Sequence, residues 1–416
     1  MTTSQQDKLT HPLLASVREQ LSDNASFLAL DVPGRKDEEW RFVRLDGVMN
    51  ANVSMATTAA KVDAKDLAAY NVPEAKGRAL VFVDGVFSKD LSDMSALGDV
   101  AIDVTDKPRE EVGRLAALQL DGKDYFSALN TAIYNQRVDI TVGKDVSAGT
   151  VHLLHVRTAG EGRLVIPRVF VKVGMGSKLT LVEEHASLDK DTEHVTNALV
   201  EVDVADNANV QHVKVQDENL VSHHIARTAL RVAEGSNYTS VTITFGAAFS
   251  RHDLHAQIEG GSCVAGLHGL AKISGRQVAD THSVMNHAHP HAESDQLHKC
   301  VVDDRAHAVF NGKIFVRQVA QQTNAFQLNR NLLLSDRAKV DTKPQLEIFA
   351  DDVKCTHGAT IGQLDEDQLF YLQARGIPAT AAANLLTYAF AAEVVERVPV
   401  LSVRKRLAGR ISPANG

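Results

Sequence analysis

The chain has 416 residues, 44% of them hydrophobic and 23% charged, a globular balance in a chain too long for one core. Its formal net charge of −8 excludes a chain-wide basic field of the kind that gathers nucleic acid. Aromatics make up only 5%, with a single Trp, so any core must be built from aliphatic side chains.

Residues 1–135 read as a mixed N-terminal region. "HPLLASVREQLSDNASFLAL" and "KPREEVGRLAALQL" carry helical apolar spacing, the second with Pro108 at a first-turn position. Between them "RALVFVDGVFSKDLS" predicts a strand, an Asp-Gly turn and a second short strand. Trp40, in "DEEWRF", anchors the N-terminal helices. The opening "MTTSQQDKLTHPLL" has no apolar signal-peptide core, and the three cysteines form no C-x-x-C pair. A cytoplasmic protein with reduced thiols is the expectation.

From about residue 140 short valine-rich segments alternate with Gly, Asp and Asn turns, and helices are not predicted again before residue 365. A five-residue frame recurs: "MGSKL" (175–179), "DNANV" (206–210), "EGSNY" (234–238), "GGSCV" (260–264), "DRAHA" (304–308), "DRAKV" (336–340) and "DDVKC" (351–355). Each has a turn-forming pair, a small residue, a variable one and an apolar one, which suits a sharp corner between strands. The frames start about 26 to 44 residues apart except the last two, only 15 apart, so one of those belongs to another face. The pattern predicts a right-handed parallel β-helix over 136–362, a stack that buries an aliphatic column without large aromatics; a β-sandwich competes. Asp365 with Gln368 is an N-cap pair, Gly376 a stop, and "TAAANLLTYAFAAEVVERV" a second helix, giving a helical region over 363–416. Its apolar run is too short and too polar to span a bilayer.

The frame places Cys355 in an apolar column with Leu179, Val210, Tyr238, Val264, Ala308 and Val340, where a thiol packs as a small hydrophobe. His357 falls in a mixed column and needs partners for its ring nitrogens, as a structural histidine or as a ligand. Cys263 falls on the variable, outward position. An iron–sulfur cluster takes about four ligands, so His357 and Cys355 could hold one only with ligands from another chain. "THSVMNHAHPHAESDQLHK" offers His287, His289 and His291 as weaker metal ligands on a solvated loop. "VEEHAS" (Glu183, Glu184, His185) reads as an edge or turn, and "VGMGSKL" as a corner, lacking the third glycine of a dinucleotide site. No phosphate-binding loop occurs, so no nucleotide site is expected here.

"KPQLEIFADDVKCTHGATIGQLDEDQLFYLQARGI" (343–377) resembles the SufB/SufD family of the SUF iron–sulfur cluster assembly system. Further matches are "AQQTNAFQLNRNLLLSDRA", "VFNGKIFV", "VIPRVFV" and "GRKDEEWRF", the last on the SufD side of the family. The resemblance implies a non-catalytic scaffold with a right-handed β-helix. It pairs with a SufB-like paralogue, as a homodimer when alone, and docks a SufC-like ABC-type ATPase through its C-terminal helices. It also implies that His357, beside Cys355, lies where a transient cluster forms, and that reduced flavin (FAD) acts on the complex. Leu369, Phe370, Tyr371, Arg375, Leu385, Leu386 and Phe390 are the ATPase-docking candidates, unless they only pack the two helices together. A β-helix enzyme acting on polysaccharide and a histidine-rich metal carrier are the competing readings.

Overall fold

The computed structural model describes residues 9–107, 109, 113–118 and 124–412; Pro108 lies outside the described residues. Ala79–Val83 and Val86–Phe87 pair antiparallel across Asp84 and Gly85, whose φ values of 51° and 87° suit a two-residue hairpin turn. Beyond them, successive strands alternate between two sheets. The first sheet runs from that hairpin through Ser147–Arg157, Lys178–Ser187, Asn209–Asp217, Asn237–Thr244, Val264–Ile273, Glu293–Val302 and Asn324–Leu333 to Lys354–Gly362. The second runs from Lys339–Ile348 through His307–Val316, Val278–His287, Phe249–Ile258, His223–Val232, Val195–Val204 and Arg168–Val173 to Arg137–Val142 and Val100–Thr105. Neighbouring coils pair parallel, as in Lys178–Ser187 on Asn209–Asp217 and His223–Val232 on Phe249–Ile258. The result is a β-solenoid of about 8 turns, and a sandwich of hairpins is ruled out.

The corners explain the recurring frame. At Gly176, Asn207, Gly235, Ser262, His291 and Gln322 the backbone has φ between 55° and 70°, a left-handed bend that turns the chain into the first sheet. The next residues are Ser177, Ala208, Ser236, Cys263, Ala292 and Thr323, all buried under the bend, where only a small side chain fits. The frames at 304–308 and 336–340 lead instead into His307–Val316 and Lys339–Ile348 of the second sheet, which accounts for the short final spacing.

One frame is misplaced by a residue. Its left-handed bend is at Ser262, not Gly261, so Tyr238 lies beside Ala265 rather than Val264. Val264 is accordingly 42% exposed, and Cys263 is fully buried with Sγ 2.8 Å from Ala233 O and 3.0 Å from Gly260 O. The true inward column is Leu179, Val210, Tyr238, Ala265, Ser294, Ala325 and Cys355.

Residues 9–53 and the helix at Tyr125–Ile133 pack on the outside of the second sheet, while Leu67, Val72 and Ala75 pack against the first. Leu13, Leu14, Val17, Leu21 and Trp40, with Phe126 and Leu129 of α1 (Tyr125–Ile133), cover Ile225, Phe249 and Val309. Trp40 is bound to the solenoid as well as to the helices, because the Arg251 guanidinium lies 3.8 Å over its ring. The neighbouring Glu39 accepts from Asn311 Nδ2 and contacts His282 Nδ1, each at 3.0 Å, and Glu38 pairs with Lys343.

At the other end Asp365 accepts from Gln368 N at 2.9 Å, capping α2 (Glu366–Ala374), and Gly376 ends that turn with φ 83°. Two further helices follow, α3 (Ala379–Val395) and α4 (Leu401–Ile411), the latter not expected from sequence. The last turns of α3 and the apolar side of α4 (Val403, Leu407, Ile411) pack on Val213, Val241, Ile243 and Leu297 of the first sheet. α2 buries nothing. So α3 and α4 belong to the solenoid's flank, while α2 and the start of α3 project as a hairpin.

The corrected register predicts opposite outcomes at adjacent residues. Val264→Lys should change stability by no more than about 0.5 kcal/mol, a surface effect. Ala265→Lys, which drives a charge into the core, should cost several kcal/mol or prevent folding. Urea unfolding of the two variants checks this; a larger loss at Val264 would restore the uncorrected frame.

Candidate functional site

The solenoid ends without a cap. Lys339–Ile348 and Lys354–Gly362 are the terminal strands of the two sheets, so among the described residues each presents an outer edge with no strand beyond it. Phe326, Ile348, Phe349 and Ile361 are large hydrophobics exposed around this end, Phe349 by 57%. An open pair of edges fringed by apolar side chains is a template for another chain. Lys339, Lys343 and Lys354 stand on these strands, the residue type with which solitary edges are guarded.

Cys355 and His357 both lie on Lys354–Gly362, on the side that would point inward if another coil followed. Cys355 stacks on Ala325 and is half-buried; His357 stacks on Gln327 and is exposed. Burial pushes the Cys355 thiol up from its ordinary value, with a backbone contact at Ala325 pulling the other way. A protonated thiol is a poor ligand, so at this end the imidazole is the readier donor. Below His357, Gln327 is fully buried, and among the described residues neither its amide oxygen nor its nitrogen has a hydrogen-bond partner. The other cysteines do not help: Cys263 is locked in its corner and burial pushes Cys300 up to about 12. Neither belongs to a metal-ligating group among the described residues.

The projecting hairpin carries the second set of sequence candidates. Phe370 is 73% exposed, Tyr371 59% and Leu385 43%, while Leu369 and Leu386 are half-buried. Tyr371, Leu372, Leu385, Leu386 and Ala389 line an apolar groove of about 480 Å³ between α2 and α3. Arg375 lies 5.1 Å over the Tyr371 ring. Phe390 belongs elsewhere, because Lys299 of the first sheet sits 4.3 Å over its ring and bonds its carbonyl oxygen at 2.8 Å.

The histidine-rich segment is not a solvated loop. His282, His287 and His298 are buried on strands, and only the corner between strands, with His289 and His291, is exposed. His287 faces inward with Nε2 2.9 Å from Ser294 Oγ, so the three proposed ligands do not meet.

"VEEHAS" is neither edge nor turn but the middle of Lys178–Ser187, buried between neighbouring coils. Glu183 and His185 face the interior, where His185 Nε2 donates to Glu183 Oε1 at 2.6 Å and Lys214 Nζ donates to the same oxygen at 2.5 Å. Glu184 faces out to His152 and Arg406. Spacing could not show this cluster, since Lys214 lies 31 residues from Glu183 and meets it only through the coil register. A strand-centre reading of 178–187 was the available signal.

A match over residues 155–390 to the family described as "SUF system FeS cluster assembly, SufBD core domain" covers more than half the chain. The chain belongs to the SufBD family of the SUF system. It is 34% identical to the iron–sulfur cluster assembly protein SufD of Escherichia coli, over 92% of this chain and 89% of that one. A SufBD family protein of Synechocystis is 35% identical over 91% and 86%, and the chloroplastic protein ABCI7 of Arabidopsis thaliana 34% over 92% and 82%.

The buried histidines set the response to acid. Burial pushes His185 and His298 down to about 3, and His268 and His287 to about 4, from the ordinary 6.5. The unfolded chain takes up these protons below pH 6.5 and the folded chain does not, so stability falls as pH drops from 6.5 towards 4. Each such group costs about 1.4 kcal/mol per pH unit. His282 runs the other way: burial and Arg251 oppose its charge, but Asp280 and Glu39 outweigh them and raise it to about 9. Its contribution is complete below pH 6.5 and is lost between 6.5 and 9. Urea midpoints should therefore be highest near pH 6.5–7 and fall steeply by pH 5; a flat profile from 7 to 5 would contradict the buried neutral imidazoles.

Proposed function

We propose that this chain is a non-catalytic cytoplasmic scaffold subunit of an ATP-driven iron–sulfur cluster assembly complex. Its uncapped last coil pairs with a SufB-like paralogue, and the projecting hairpin docks a SufC-like ATPase. The observation that carries the reading is the open end itself, two adjacent unpaired strand edges with an exposed imidazole between them. The cluster is cargo: His357 gives one ligand, the paralogue supplies thiolates, and Cys355 is a secondary donor once deprotonated. A site split between two chains is complete only while they are apposed, which suits a cluster that must be built and then released. Reduced flavin would serve the complex; no residue here is assigned to it. Family membership sets aside the polysaccharide-active reading.

The geometry supports a mechanical link. Lys354–Gly362, which carries His357, runs through only Gln363–Asp365 into α2. A nucleotide-dependent shift of an ATPase seated on the hairpin would reach the terminal strand directly, provided the nucleotide favours one arrangement of the pair.

Two expectations test this. In coexpression with a SufB-like and a SufC-like protein, His357→Ala should leave the complex intact while iron and sulfide per complex fall at least several-fold; unchanged loading would reject the role of His357. Phe370→Ser with Tyr371→Ser should release the ATPase in a pull-down while retaining the paralogue. Retention of both would move the docking site elsewhere.

A further inference from the structure

The interior of the first coils holds a cluster that the scaffold reading does not use. His185 comes from the first sheet, His224 from the second, and Glu218 from the corner that follows Asn209–Asp217, so the three face each other across the lumen. All three are buried, and each offers one ligand atom, with those atoms within 4.8 Å of one another.

The hydrogen-bonding pattern is that of ligands lacking a common partner. His185 spends its Nε2–H on Glu183, which leaves the Nδ1 lone pair with nothing to accept from. His224 Nδ1 contacts Glu218 Oε2 at 2.7 Å, and among the described residues its Nε2 has no hydrogen-bond partner. Fully buried polar atoms without partners are costly. The remaining contacts resemble an outer shell. Glu183 orients His185, while Thr196 and Gln216 hold Glu218 at 2.5 and 3.1 Å. Two cations border the group: Lys214 Nζ bonds Glu183 and lies 3.2 Å from His185 Nε2, and Arg157 donates to Thr196 Oγ1 at 2.9 Å and lies 3.5 Å from Glu218 Oε1.

We infer that His185, Glu218 and His224 form an internal site for one divalent transition-metal ion of the Zn²⁺ or Fe²⁺ type, tying the two walls of the solenoid together. Two imidazoles and a carboxylate are the donor set such ions take, with room left for water as a further ligand. The enclosed position means the ion enters as the coils wind. This site is independent of the open end and stands or falls separately from the scaffold reading.

The test refolds the full chain from urea with and without Co²⁺, removes excess ion by desalting, and counts metal per chain. One Co²⁺ per chain is expected, with visible d–d bands of nitrogen and oxygen ligation and a melting temperature above that of the metal-free chain. His224→Gln should lose the ion and the temperature shift together, while His289→Ala with His291→Ala should keep both. No retained ion in the wild-type chain would overturn the site whether or not the variants fold, as would one Co²⁺ held unchanged by a folded His224→Gln.

Discussion

Everything in this molecule depends on the parallel register between successive coils. Once one strand is placed, each inward position stacks on a position one coil below, and side chains are selected column by column. A largely apolar column such as Leu179, Val210 and Tyr238 gives the stack its cohesion. The same rule obliges polar residues to meet polar residues. His155 lies beside His185 and Glu183 beside Lys214, so one coil's ionisable side chain becomes the floor for the next. The register builds the core, and it also creates the charged interior and the unfinished end.

Much of this was legible in the sequence because corners have local chemistry. A left-handed bend favours Gly, Asn or Asp, and the small residue after it has no space to be anything larger, so the frame at 206–210 or 234–238 shows itself. It failed where the bend falls on a residue with no such preference. Ser262, His291 and Gln322 hold left-handed conformations that their types do not advertise, and the frame at 260–264 slipped to the nearest glycine pair. A slip of one residue exchanges inside and outside, which is why Val264 and Cys263 were read in reverse.

The candidate sites divide the same way. His357 and the hairpin aromatics lie in the continuous stretch 343–377, where family resemblance is densest, and their exposure at an unfinished end follows from being the last coil. The lumen cluster of His185, Glu218 and His224 has no contiguous motif. Its members are adjacent only after two sheets have been wound around one axis, so neither periodicity nor spacing could bring them together. α4 was missed for a related reason: its apolar side is short and becomes evident only against the sheet that it covers.

The ties between the N-terminal region and the solenoid set an order of events during synthesis. Glu39 reaches partners 243 and 272 residues ahead of it, and Glu38 one 305 residues ahead. While the chain emerges from the ribosome, Trp40 and its neighbours must wait for most of the coils to be translated before their seat exists. The first segment made is therefore among the last to settle, and a nascent chain stalled before residue 282 would display that apolar region unsheltered.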